Sequence, residues 1–369
     1  MDAAHNSGKV VSFPLANRLR IALVAPLYER IPPKLYGGTE RIVFYITEEL
    51  VQRGHEVTLF ASGDSVTSAH LEPGCSEALR LIGKAEQGAS LQLPIISDAY
   101  ERAAAGGFDI VHSHLDYWAF PFAELTGVPS LATMHGRLDL PDLWPVYQRY
   151  RGVPVVSISD SQRRPLPNLN WQATVYHGLP SALHRFSAGP GKYLAFLGRI
   201  SPEKRPDLAI KAARRAGLPL KIAAKVDVVD RSYFEHEIEP LLAPPEIEYI
   251  GELNDHEKTT FLGDALALLF TIDWEEPFGL VMIEALACGT PVIARRRGSV
   301  PEIIDDGVTG FIANSVDDIV LAIQQIDKLS RSRCREVFEK RFTAETMVDN
   351  YERVYRTLIE SHAGIAAAR

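Results

Sequence analysis

The chain has 369 residues, 46% hydrophobic and 23% charged, which is enough for two domains that each bury a core. Its net charge of −8, from 39 Lys and Arg against 47 Asp and Glu, lacks the basic excess of a nucleic-acid binder. Three distant cysteines, Cys75, Cys288 and Cys334, have no metal-binding spacing and exclude a disulfide scaffold; free thiols in a reducing compartment are expected.

Met1 to Arg18 has no apolar core of signal-peptide type and is expected to be a disordered extension. Leu19 to Ala25 is a short apolar strand, followed by a loop with Pro26, Pro32, Pro33, Gly37 and Gly38. Thr39 is placed as the cap of a helix through Arg53, since Ile42, Val43, Ile46, Leu50 and Val51 recur at helical spacing. Gly54 stops it, and Glu56–Ala61, Asp109–His112, Ser130–Thr133 and Val155–Ile158 read as further strands. Residues 181–190, with Gly189 and Pro190, lose periodicity and read as a linker.

The alternation then restarts. Tyr193–Leu197, Leu220–Ala224, Ile247–Ile250, Leu266–Phe270 and Pro291–Ala294 are predicted strands; Pro206–Ala216 and Gly279–Cys288 are predicted helices. Tyr351, Val354, Tyr355 and Leu358 share one face of a final helix. Alternating strands and helices imply parallel sheets covered on both faces, an α/β fold. The expected organisation is an extension over 1–18, one Rossmann-like domain over 19–180, the linker 181–190, a second Rossmann-like domain over 191–347, and a helix over 348–369 returning to the first. No apolar run reaches the ~20 residues of a membrane span. A cytoplasmic protein is therefore expected, and peripheral contact with the inner membrane face is compatible with that.

Four motifs carry chemistry. Glu276-Pro-Phe-Gly-Leu-Val-Met-Ile-Glu284 places one carboxylate in a loop and another inside a helix. Two separated carboxylates suit two separated diols, such as sugar hydroxyls and ribose hydroxyls. Phe278, Gly279 and Leu280 supply free N–H groups at a helix start, a favourable place for an anion. Gly198-Arg199 with Glu203-Lys204 follows a strand and brings a guanidinium and an ammonium that can meet a diphosphate. Gly37-Gly38-Thr39 permits close approach of backbone to ligand, whereas the G-x-G-x-x-G of nicotinamide enzymes is absent. His135, after the strand Ser130–Thr133, falls on the same side.

The stretch Glu276 to Phe311, together with Tyr36-Gly37-Gly38-Thr39-Glu40, Gly54-His55-Glu56-Val57 and Phe196 to Lys204, resembles the retaining glycosyltransferases of family four, which have the GT-B fold. The likeness runs from about Arg20 to Tyr355. It implies two Rossmann-like domains facing a cleft, with the donor nucleotide on the second. It also implies a nucleoside-diphosphate sugar as co-substrate, a hydroxyl acceptor, no metal and no cofactor, nucleic acid or membrane span.

By the same resemblance Arg199 and Lys204 meet the diphosphate, helped by Gly37, Gly38, Phe278, Gly279 and Leu280. Glu276 holds the sugar, His135 lies near it, Glu284 takes the ribose and Leu253 the base. Catalytic roles fall on Glu276, His135, Arg199 and Lys204. Asp116, Arg137, Asp139 and Asp160 are expected on the acceptor side. Lys258, Arg205 and the run Arg295 to Arg297 are read as solvated, and His177-Gly178 as a turn. The rival readings are a sugar-nucleotide epimerase on the same fold and a non-catalytic sugar-nucleotide-binding module.

Overall fold

The computed structural model describes residues 18–35 and 37–367. The expected extension over 1–17, and Tyr36 of the first glycine motif, lie outside them. Among the described residues thirteen strands form two all-parallel sheets. The first contains β1 (Arg20–Val24), β2 (Glu56–Ser62), β3 (His70–Cys75), β4 (Ile110–Ser113), β5 (Ser130–Thr133), β6 (Val155–Ser157) and β7 (Trp171–Thr174) in the order β3-β2-β1-β4-β5-β6-β7. The second contains β8 (Tyr193–Arg199), β9 (Leu220–Lys225), β10 (Ile247–Gly251), β11 (Ala265–Phe270), β12 (Val292–Arg295) and β13 (Gly310–Ala313) in the order β10-β9-β8-β11-β12-β13. Strands are continuous apolar runs where both faces are covered: Ile21, Ala22, Leu23 and Val24 of β1 are all fully buried.

In each sheet the strand order reverses once, between β1 and β4 and between β8 and β11. A crevice opens beyond the carboxyl ends of the strands at such a reversal, and ligands of open α/β sheets collect there. The carboxyl ends of β1, β4, β8 and β11 and the segments that follow them contain Gly37-Gly38, His114 to Asp116, Arg199 to Lys204 and Glu276 to Gly279.

Several predicted boundaries shift. Helix α1 runs Gly38–Gln52, and the residue preceding it is Gly37 at φ 153°, with no side chain capping the end. Thr39 is therefore inside the helix rather than its cap, and the first N–H groups point out of the helix end without a side-chain partner. Helix α2 (Gly88–Ala104) has no counterpart in the sequence reading, because Pro94 sits inside it and breaks the usual helical signature.

The last helix, Ala344–Ala367, packs on α1. Tyr351 and Tyr355 are fully buried; their hydroxyls reach Thr133 Oγ1 at 3.0 Å and His112 Nδ1 at 2.7 Å. Arg53 donates to Asp349 and Glu352, both at 2.6 Å, and His55 meets Glu352 at 2.7 Å. The hydrogen bond from His55, with that from Arg53, outweighs burial and lowers the Glu352 carboxyl to about 2. Folding lowers this pKa, so the stabilisation is complete above the unfolded glutamate value of ~4.3 and fades as pH falls toward 2. Calorimetry of Glu352→Gln against wild type is expected to show a melting-temperature gap that is full near neutral pH, narrows below about pH 4 and closes near pH 2.

Candidate active site

Between the two lobes lies a cleft of about 480 Å³. Its walls include Gly37, Gly38, His135, Arg199, Lys204, Glu276, Phe278, Gly279 and Leu280. A smaller recess of about 110 Å³ shares Gly37, Gly38 and Leu280 with the cleft and adds Leu253 and Glu284. The two spaces thus gather every residue that the sequence singled out for donor binding or catalysis.

The second-lobe wall carries the charge. Arg199 ends β8 and Lys204 follows in the next loop. Lys204 Nζ is bonded to the Glu276 carboxylate, lies 4.9 Å from the Trp274 ring centre, and is largely shielded from solvent. Trp274 Nε1 donates to the same Glu276 oxygen at 3.1 Å. Arg199 sits among carboxylates: Glu203 at 2.5 Å, Asp230 at 3.4 Å and Asp227 at 3.6 Å. The partner of Glu203 is thus Arg199. An incoming anion has to compete with acids for both cations, and a dense diphosphate charge can do so where a neutral ligand cannot.

Gly279 introduces the helix Leu280–Ala287 at φ 81°, a conformation that favours glycine, and no side chain caps that helix. A Cβ on Gly279 would stand 2.9 Å from Phe270 and 3.0 Å from Met282. On the opposite wall α1 also begins without a side-chain cap, and Gly38 lies against Leu280. Two uncapped helix starts therefore open on one space, a favourable arrangement for a negatively charged group.

Glu284 is buried inside its helix and accepts from Lys258 Nζ at 3.0 Å. Burial pushes its pKa up, but the charges of Lys258 and Arg41 outweigh this and hold it below the usual glutamate range. Lys258 is accordingly a wall residue of the recess, not the solvated helix residue expected from its position. Arg41, which the sequence reading passed over, crosses between the lobes to Asp255 and donates to Leu35 O at 2.7 Å.

The floor is made of histidines. His114, His135 and His177 line the cleft, and His112 lies behind them. Ring centres step from His112 to His114 at 4.1 Å, to His135 at 5.2 Å, to His177 at 5.3 Å and to Phe278 at 4.9 Å. His114 Nδ1 and His135 Nε2 are 2.9 Å apart, within hydrogen-bond distance. Burial lowers the pKa of His112 and His135 to about 3 and puts His114 and His177 well below the usual value, so the floor is polar but uncharged at neutral pH. His177, read from the sequence as a turn, belongs to this floor.

Asp116 adopts φ 48°, which aspartate tolerates better than most residues, and accepts from the His135 N–H at 3.0 Å. Burial raises its carboxyl to about 6. Of the four polar residues expected on the acceptor side, only Asp116 lines the cleft. Arg137 and Asp139 pair with each other at 2.6 Å. Asp160 opens a short helix whose N–H groups, those of Asp160 and Ser161, donate to Glu302 across the lobes, both at 2.7 Å. Arg295 is not solvated: it pairs with Asp273 at 2.8 Å. Arg205 is a half-buried partner of Asp207 at 2.8 Å and takes φ 52°.

Two parallel-stranded Rossmann-like lobes with a cationic, carboxylate-flanked cleft between them define a GT-B protein. The sequence profile described as "Glycosyl transferases group 1" matches residues 185–341, and that described as "Glycosyltransferase Family 4" matches residues 36–160. The chain belongs to the group 1 glycosyltransferases and is a transferase enzyme. It is similar to the D-inositol 3-phosphate glycosyltransferase of Mycolicibacterium smegmatis, 25% identical over 90% of both chains. The protein of that name from Nocardia farcinica is 27% identical over 90% of this chain and 88% of its own.

Among solved structures, sucrose-phosphate synthase of Thermosynechococcus elongatus superposes with a TM-score of 0.74, at 18% identity over 93% of this chain and 100% of its own. Anabaena HepE, crystallised with UDP and glucose, gives 0.69 at 15% identity over 92% and 100%. No helix among the described residues is long and apolar enough to cross a membrane.

Proposed function

We propose that the enzyme transfers a hexose from a nucleoside-diphosphate sugar to a hydroxyl acceptor with retention of configuration and without a metal ion. The observation that carries this reading is the convergence, in one cleft, of Arg199, Lys204 and two uncapped helix starts from opposite lobes. The diphosphate would lie between them, the ribose at Glu284 and the base near Leu253. Glu276 and the neutral His135 would hold sugar hydroxyls. The bond from the anomeric carbon to the diphosphate breaks and the acceptor oxygen bonds to that carbon. The acceptor's proton passes to the departing phosphate oxygen. Arg199 and Lys204 act most strongly when that oxygen gains charge.

A UDP-hexose is the first candidate donor and GDP-mannose the second. The UDP and glucose found in HepE agree with the first. A thermal-shift panel of UDP, GDP, ADP, UDP-glucose, GDP-mannose and NAD tests the reading, with Arg199→Ala as control. A ligand at ~100 times its Kd adds about 2.7 kcal/mol. For a chain this size that is a shift of a few degrees. One nucleoside diphosphate is expected to shift the wild type and not the variant. A response to NAD alone, or to nothing, would remove the donor-site reading.

A further inference from the structure

The two walls of the cleft differ in chemistry. The second-lobe wall offers Arg199 and Lys204, whereas the first-lobe wall consists of Tyr28, Glu40, Arg80, Gln92, Asp116 and Trp118 with the neutral histidines beneath. Among the described residues Arg80 is the one full cation in that wall, and its Nη1 is held by Glu29 at 2.7 Å. Glu40 is 7% exposed, and among the described residues no cation lies within ion-pairing distance of it. Gln92 is 2% exposed, and its Oε1 has no hydrogen-bond partner.

An unsatisfied buried acceptor costs about 1–3 kcal/mol, so such an atom is normally matched by a donor from a bound molecule or water. The acids Glu40 and Asp116 and the unpartnered Gln92 Oε1 thus face the space where the second substrate must sit, and the charge balance of the wall is acidic. A phosphate ester brings roughly −1.5 to −2 charge and three further acceptor oxygens. Against Glu40 and Asp116 these would meet like charge, and the one cation that could balance them there, Arg80, already has its own charge offset by Glu29. A hydroxyl-rich neutral molecule brings hydrogen-bond donors to Glu40, Asp116 and Gln92 Oε1 without that repulsion.

We infer that the acceptor is an uncharged compound rich in hydroxyl groups and not a phosphate ester, and that Glu40 and Gln92 accept its hydrogen bonds. This rests on the reading of the cleft as a sugar-transfer site. It separates the enzyme from the relatives at 25–27% identity whose name carries a phosphorylated acceptor. Burial raises the Glu40 carboxyl to about 7, so it can accept a hydroxyl proton's hydrogen bond or, when protonated, donate one. The acids discriminate by penalising the wrong substrate as much as by holding the right one.

The test uses the full-length protein and the sugar nucleotide that stabilises it. Matched pairs are offered as acceptors: myo-inositol with inositol 3-phosphate, glucose with glucose 6-phosphate, and glycerol with glycerol 3-phosphate. Products are read by mass spectrometry. In at least one pair the uncharged member is expected to show kcat/KM about tenfold or more above its phosphate ester. Glu40→Gln and Gln92→Leu are expected to raise the acceptor KM about tenfold, and the donor KM far less.

Equal or better use of the phosphate ester overturns the inference, as does a panel in which no uncharged compound reacts. The wild-type panel decides the matter even where a variant folds poorly. Slow cleavage of the sugar nucleotide by water, together with stabilisation by the nucleotide, reports on the transfer reading itself. Loss of those signals is a different failure from the wrong acceptor charge.

Discussion

Lys204→Ala is expected to lower kcat by about 10²- to 10³-fold, the range seen when one preorganised donor to a developing oxyanion is removed. The expectation follows from the position of the ammonium in the cleft wall, shielded from water and bonded to Glu276. Its charge has two partners to serve under the proposed reaction: the carboxylate it touches now, and the leaving diphosphate. Removing it leaves Glu276, 9% exposed, as an unpaired acid beside an anionic donor.

A double-mutant cycle with Glu276→Gln separates the two roles. If Lys204 acts chiefly on the phosphate, Glu276→Gln gives no rescue and the losses in kcat/KM add. If it acts chiefly by neutralising Glu276, the double variant recovers most of the loss that Lys204→Ala causes. A Lys204→Ala enzyme with near-normal kcat would remove the residue from the mechanism.

Much of this site was legible because its parts are local in sequence. Glu276 and Glu284 are eight positions apart, and Arg199 and Lys204 five, so a loop and one helix suffice to place each pair. Ten of the thirteen strands among the described residues were legible for the same reason, as short apolar runs whose ends shifted by one or two residues, whereas β3, β7 and β13 had no counterpart in the sequence reading. What escaped joins distant segments. Arg41 and Asp255 are separated by 214 positions, and Asp160 and Glu302 by 142. Lys258 looks like an ordinary exposed lysine until the helix carrying Glu284 is laid beside it. His177 has no signature of its own; it becomes part of a site only because His135 and Phe278 arrive from other elements. Glu40 stands in the recognised glycine motif, yet its burial without a cation depends on how α1 meets the wall. The acceptor half of the cleft was therefore the part that sequence patterns described least.

Gly298→Ala is the second large effect, and it acts at a distance from any substrate. Gly298 lies in the loop after β12 with φ 50°. A Cβ there would stand 2.2 Å from the Glu276 carbonyl oxygen and 2.4 Å from the Glu276 nitrogen. Both are backbone atoms, so no side-chain rotation relieves the contact, and either the loop or Glu276 must move. The same loop holds the Glu276–Phe278 segment through Ser299: its N–H donates to Glu276 O at 3.0 Å and its hydroxyl to Phe278 O at 2.7 Å. The Gly298 N–H donates to Glu275 at 2.9 Å. A shift large enough to admit a methyl group breaks these supports together and carries Glu276 away from Lys204.

A misplacement of about 1 Å at a reacting group can cost on the order of 10²-fold in rate. Gly298→Ala is therefore expected to lose at least that much in kcat and to melt several degrees lower, by about 2 kcal/mol or more. Nucleotide binding, proposed to use Glu284 and Leu253 on other elements, should weaken far less, and titration of the nucleoside diphosphate by calorimetry checks that difference. Loss of activity and binding in equal measure would show instead that the whole second lobe had unfolded. Retention of full activity would show that the loop yields without moving Glu276.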